Sequence, residues 1–268
     1  MIALGQTRRA SSGGLSPLYA AMRARLVLVA LLFALAGLGW VWTAAEMRGM
    51  DNGPWTDLGA FGWFVGVWLV MMAAMMFPSV APTVALYSRM TKQRSPVSPF
   101  AFAAGYLLTW GVAGVAAYGI ATAAIRLGGD QLSWSNAGRP IAGATLLVAA
   151  AYELTPLKDV CLGKCRSPLG VLLGSWRDGL AGAVRMGVKN GAWCVGCCWA
   201  LMASLFALGV MSVSWMAVVA GLIAVEKTLP WRRTMTYGTA ALLLGLGILV
   251  IAAPHALPML TIPAAHMA

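Results

Sequence analysis

Apolar stretches of the length needed to cross a lipid bilayer recur along the whole chain, and this repetition limits the possible folds more than any other feature. A spanning helix needs about 20 largely apolar residues. Leu26–Ala45 is the first such stretch. The second starts at Phe61 and runs through Met76, with Pro78 and Pro82 expected to bend its far end towards Tyr87. The others are Phe100–Ile125, Ile141–Tyr152 extended to Leu157 through Glu153, Gly191–Met211, Trp215–Leu229 and Thr236–Ala253. Hydrophobic residues make up 60% of the 268, charged residues 10%, and the mean hydropathy is +0.78. Soluble domains carry roughly 25% charged residues, so this chain lacks the polar groups to coat a water-exposed globule. The composition excludes a disordered chain, a collagen and a soluble enzyme. It predicts an all-α, polytopic transmembrane helix bundle of about seven spans.

Charge placement tests that count. Cytoplasmic loops of membrane proteins carry an excess of Lys and Arg. With a cytoplasmic N-terminus and seven spans, 16 cationic residues fall inside and only Arg48, Arg126 and Arg139 outside. Without the fourth span the basic stretch 158–189 would move outside and the asymmetry would vanish. The expectation is therefore N-in and C-out, in a cytoplasmic membrane. The net charge of +11 then reads as a topology signal and a contact for anionic head groups of the bilayer. Nucleic acid is not an expected partner, because the cations are spread over four separate segments.

One membrane domain, 26–253, is expected between a flexible cytoplasmic tail, 1–25, and a periplasmic tail, 254–268. The first span exceeds the usual length of a signal-peptide core and reads as an uncleaved anchor. If it were cleaved, six spans would remain. A Gly-rich cytoplasmic loop, 158–190, has room for a helix lying in the interface. Ser212-Val213-Ser214 reads as a tight connection between the fifth and sixth spans.

Sulfur is the chemistry left to such a chain. Only 8 acidic residues and 2 histidines are present, and His255 and His266 lie in the terminal tail. The nucleophile elbow, the phosphate loop and the zincin helix are all missing, so the chain is not expected to be an enzyme. The five cysteines form two clusters, Cys161-Leu-Gly-Lys-Cys165 and Cys194-Val-Gly-Cys197-Cys198. Residues three and four apart on a helix share a face, so Cys194, Cys197 and Cys198 can converge. On the cytoplasmic side thiols stay reduced, and close pairs read as metal ligands or redox groups rather than structural disulfides. Soft thiolates select Cu(I), Zn(II) or iron–sulfur clusters.

Methionine supplies the second cluster, Met71-Met72-Ala73-Ala74-Met75-Met76. Met71 and Met75, and Met72 and Met76, stack one turn apart. That spacing suits a thioether path for Cu(I), with Met202 one turn beyond Cys198 and Met211 and Met216 further along. Methionine and cysteine are also ordinary gap-fillers of apolar cores. Pro78-Ser79 marks an expected kink beside the Met cluster. Glu153, Glu226 and Lys227 sit near helix ends and are expected to reach the interface, with Glu226 paired to Lys227 or Arg232. Glu153, eight residues before Cys161, is also a candidate proton-linked group.

Two ordered signatures carry a family resemblance. One is Trp68-Leu69-Val70-Met71-Met72-Ala73-Ala74-Met75-Met76-Phe77-Pro78-Ser79 followed by Pro82. The other is Cys194-Val-Gly-Cys197-Cys198-Trp199-Ala200-Leu201-Met202 with Gly209, Met211, Trp215-Met216 and Glu226-Lys227. Together they resemble the bacterial family of uncharacterised, predicted metal-binding integral membrane proteins. The resemblance implies metal binding by an all-helical protein of the bacterial inner membrane. The combined expectation is a protein that binds a soft metal, Cu(I) ahead of Zn(II), and moves or delivers it. The expected ligands are Cys161, Cys165, Cys194, Cys197, Cys198, Met71, Met72, Met75, Met76 and Met202. A metal chaperone or a larger membrane complex would be the partner. Two other readings stay open: a thiol-redox or cofactor-assembly membrane protein, and a structural subunit of a larger complex.

Overall fold

A computed structural model describes residues 15–47, 58–91, 96–128, 137–208, 212–229 and 231–252. Every regular element among them is an α-helix. In chain order these are α1 (Leu15–Glu46), α2 (Phe61–Thr91), α3 (Ser98–Gly128), α4 (Arg139–Glu153), α5 (Pro156–Cys165), α6 (Pro168–Leu173), α7 (Gly179–Leu208), α8 (Val213–Thr228) and α9 (Arg232–Ala252). Each of the seven apolar stretches overlaps these helices, and the fourth is divided between α4 and α5.

The count of seven spans is not supported. Among the described residues four helices are long and apolar enough to cross a membrane: α1 from Leu26, α2, α3 and α9 from Arg233. A fifth span results if α4 and α5, bent by 71° at their junction, are taken as one. The physical reasons differ by element. Helix α8 has 16 residues, short of a full crossing. Helix α4 stops because Pro156 has no N–H with which to continue it, and the preceding Thr155 is extended at φ −78° and ψ 146°.

The expected loop 158–190 is largely helical, comprising most of α5, all of α6 and the start of α7. Its polar residues act as caps. The Thr155 hydroxyl accepts from the Lys158 N–H at 3.3 Å, and the Ser167 hydroxyl from the Gly170 N–H at 3.3 Å. Both helices also open with proline at the first position, where no N–H is needed. Helix α1 begins at Leu15, inside the segment expected as a tail. Ser212 occupies the N-cap position of α8, so Val213 and Ser214 are helical rather than a connection. Met211, His255, His266 and the C-terminal tail lie outside the described residues.

Helix α2 is the spine. It runs through Pro78 and Pro82 as one element and buries Met71, Met72, Met75 and Met76. It packs on α1, α3, α6 and α8, while α7 packs on α3, α4, α5 and α8. Trp68 locks α2 to α3: its indole N–H donates to the Trp110 carbonyl at 2.8 Å, and its ring lies where a side chain on Gly114 would stand. Close contact between helices depends on small residues. The α3–α7 crossing shows this. A Cβ on Gly105 would strike the Val184 carbonyl, and one on Gly187 the Phe102 carbonyl. Gly187→Ala should therefore lower the thermal midpoint in detergent, by the equivalent of ~1–3 kcal/mol of overpacking. Gly245→Ala, with open space around it, should leave the midpoint within error. Equal midpoints for the two variants would show that the crossing is loose.

Candidate metal centre

Five helices bring the site together. Helix α5 supplies Cys161 and Cys165, α7 supplies Cys194, Cys197 and Cys198, α2 supplies Met76 and Ser79, α3 supplies Tyr106, and α8 supplies Lys227. Glycine again sets the approach. A Cβ on Gly196 would lie 2.9 Å from the Cys161 sulfur, so α5 can rest on α7 only because that position is bare. The Tyr152 hydroxyl donates to the Gly196 carbonyl at 2.5 Å and ties α4 to the same turn.

The sulfurs of Cys165, Cys194 and Cys197 all lie within 4.8 Å of one another. Three sulfurs bound about 2.3 Å from one ion in a trigonal plane would be about 4.0 Å apart. The group is thus close to a ligating geometry. Cys194 is its hub. Its sulfur is 4.0 Å from the Met76 thioether and 4.0 Å from the Cys198 sulfur. It shares a 3.0 Å hydrogen bond with the Tyr106 hydroxyl and accepts one at 3.0 Å from the Lys227 ammonium. That ammonium also reaches the Met76 sulfur at 3.8 Å and the Ser79 hydroxyl at 3.4 Å. Cys194, Cys197 and Cys198 are buried, Cys165 is half-buried, and all five cysteines are free thiols.

The expected ligands are divided by this geometry. Cys165, Cys194 and Cys197 converge. Cys198 is beside Cys194 but donates to the Cys194 carbonyl at 2.8 Å and is not part of the three-sulfur group. Cys161 packs against Gly196, away from that group. Of the four clustered methionines, Met76 touches the thiols, and Met72 stands one turn below it on the same face of α2. Met71, Met75, Met202 and Met216 are buried in the surrounding core.

Three features were hidden from the sequence reading. Tyr106 belongs to no motif, and only the α3–α7 crossing delivers its hydroxyl to Cys194. Lys227 turns inward to the thiols instead of reaching the interface. Glu153 and Glu226 are likewise buried, and Glu226 pairs neither with Lys227 nor at the surface. Their partner is Lys158, read from the sequence as a loop cation yet fully buried. Its ammonium lies 2.7 Å from one Glu226 oxygen and also contacts Glu153. The Glu226-Lys227 pair did stand in the second signature, which was the available hint.

A donor set of three thiols and a thioether, beside one ammonium, fits a soft monovalent cation. Thiolates and thioethers prefer Cu(I), and a lysine ammonium compensates the negative charge of a copper–thiolate group. No curated protein and no solved structure matches the chain. The family model described as PpoB2, copper chaperone, matches residues 65–250, a stretch that holds most of α2 and all the thiols. The copper-chaperone description and the three-thiol group agree on copper binding, and with more than half of its length matched the chain belongs to the PpoB2 copper chaperone family.

Proposed function

We propose that this protein is a multi-pass protein of the bacterial inner membrane that binds Cu(I) as cargo and delivers it to a partner. Cys165, Cys194 and Cys197 are the primary ligands in this reading. Met76, with Met72 behind it, forms the thioether approach along α2. Cys161, Cys198, Met71, Met75 and Met202 shape the surroundings. The convergence of three thiols from two separate helices is the observation that carries the reading. The family membership supports it.

In this reading the N-terminus is cytoplasmic and the C-terminus periplasmic, which requires an odd number of spans, as when α4 and α5 form one; the excess of loop cations then stays on the cytoplasmic side. The tails 1–25 and 254–268 flank one membrane domain. Burial of the site suits delivery, since a closed apolar shell keeps Cu(I) from water and from oxidants. Half-buried Cys165 is then the point at which a partner's thiols begin to exchange with the site.

Thiol footprinting tests the reading. Full-length protein purified in detergent should retain about one Cu(I) per chain, the occupancy that a single three-thiol site allows. Loading should protect Cys165, Cys194 and Cys197 from an alkylating reagent and leave Cys161 as reactive as in the copper-free protein. Failure to bind Cu(I), or equal protection of Cys161, would overturn the assignment. A reversible Cys194–Cys197 disulfide in membranes, with no bound metal, would favour thiol-redox chemistry instead.

A further inference from the structure

A second buried group of ionisable side chains lies beside the thiols. Lys158 of α5 stands between Glu153 of α4 and Glu226 of α8. All three are buried. One oxygen of each carboxylate, Glu153 Oε1 and Glu226 Oε1, is buried with no hydrogen-bond partner. A lone ammonium between two carboxylates leaves one negative charge uncompensated. Burying an unpaired charge costs several kcal/mol. Two orphaned carboxylate oxygens in such a place have room for one shared proton.

The surrounding groups complete the charge balance. Lys227 follows Glu226 directly on α8, and its ammonium is on Cys194. Lys158 is three residues from Cys161 and two turns from Cys165 on α5. Arg166 donates to the backbone carbonyls of Glu226 and Leu229, at the solvent end of α8, and not to a carboxylate. Tyr152 is engaged by the Gly196 carbonyl, and Asp159 is exposed. The set is therefore two ammoniums, two carboxylates and the thiols, with Lys227 and Cys165 half-buried and the carboxylates and Lys158 buried. With every thiol protonated this set is neutral.

Loading changes the balance. Two of the three thiols bind Cu(I) as thiolates and lose two protons while the third keeps its own, so an anionic copper dithiolate forms. Its negative charge is taken up by Lys227. The carboxylate pair then loses the distant compensation of that ammonium. From this we infer that the Glu153–Lys158–Glu226 triad takes up one of the two protons set free as copper binds and returns it to a thiolate as copper leaves. This rests on the Cu(I) reading above. The step is balanced: two S–H bonds break, two S–Cu bonds form, one new O–H bond forms on a carboxylate, and the second proton goes to solvent. No electron changes hands. The triad would thus make release of the metal easier, because the proton that must re-enter the site is stored beside it.

Infrared difference spectroscopy of full-length protein, recorded as Cu(I) is added, tests the step. Wild type should gain the carbonyl band of a carboxylic acid, and the band should shift in heavy water. In weak buffer it should release about one proton fewer per Cu(I) than Glu153→Gln or Glu226→Gln. Both of those variants should lose the band, since a single carboxylate is already neutralised by Lys158. Glu226→Asp, which keeps the acid, should move the band without removing it. If wild type binds Cu(I) with no carboxylic-acid band, or both Gln variants keep it, the inference is overturned. If no Cu(I) binds, the reading it rests on fails and the inference falls with it, a result the bound-copper measurement identifies separately.

Discussion

Cys194→Ser should weaken Cu(I) binding by more than about 100-fold. Groups that merely orient a ligand are worth 10–100-fold in metal affinity, and Cys194 is the centre of the site itself. Its sulfur is within 4.8 Å of both Cys165 and Cys197 and 4.0 Å from Met76. It also receives the Lys227 ammonium and the Tyr106 hydroxyl, each at 3.0 Å. A serine oxygen is a hard donor that a soft monovalent ion does not favour. The substitution also strips Lys227 of the anion it would compensate, so a half-buried ammonium is left facing a neutral hydroxyl. Competition against a chelator of known Cu(I) affinity measures the effect. Cys161→Ser is the matched control and should change affinity by less than about threefold, because Cys161 packs on Gly196 outside the three-sulfur group. Comparable losses in the two variants would mean that the thiols act as a diffuse pool rather than a defined centre.

Lys158→Met should be the most destabilising single change in the helical core. Breaking a buried ion pair by removing one partner costs ~3–5 kcal/mol, since the other charge stays buried and unpaired. Here two carboxylates would be left, each already with one oxygen lacking a partner. Three helices would lose their common tie, because Glu153, Lys158 and Glu226 come from α4, α5 and α8. The thermal midpoint in detergent should fall sharply. Adding Glu153→Gln and Glu226→Gln to Lys158→Met should restore most of it, because the uncompensated charge is then gone. A triple variant no more stable than Lys158→Met would show that the lysine acts through packing and not through charge.

The sequence made the helices legible and left their partnerships hidden. Apolar length alone located α1, α2, α3 and α9, since a helix satisfies every backbone hydrogen bond within such a run. Its count of seven spans is not supported among the described residues, because an apolar run does not reveal whether it is broken. The α4–α5 bend comes from Pro156, whose effect on direction depends on what packs there. Cation counting treated Lys158 and Lys227 as loop residues, because a lysine beside a helix end ordinarily reaches water. Both turn inward because anionic or sulfur partners on other helices receive them.

The sulfur chemistry shows the same division. The sequence by itself determined that this chain is helical and that its chemistry belongs to sulfur, since its acids and histidines are so few. Helical spacing also placed Cys194, Cys197 and Cys198 on one face, and the structure keeps the Cys194 and Cys198 sulfurs 4.0 Å apart. Spacing is a local property, fixed by 3.6 residues per turn. Which distant side chains meet that face is not local. Only the tertiary structure joined Cys165 to Cys194 and Cys197 while leaving Cys161 aside, through the bare surface of Gly196. Only it brought Tyr106 and Lys227 to the same sulfur, and placed two carboxylates around Lys158. The reason is physical: burial makes an unpaired charge or polar group costly, so the fold that buries these side chains must also pair them.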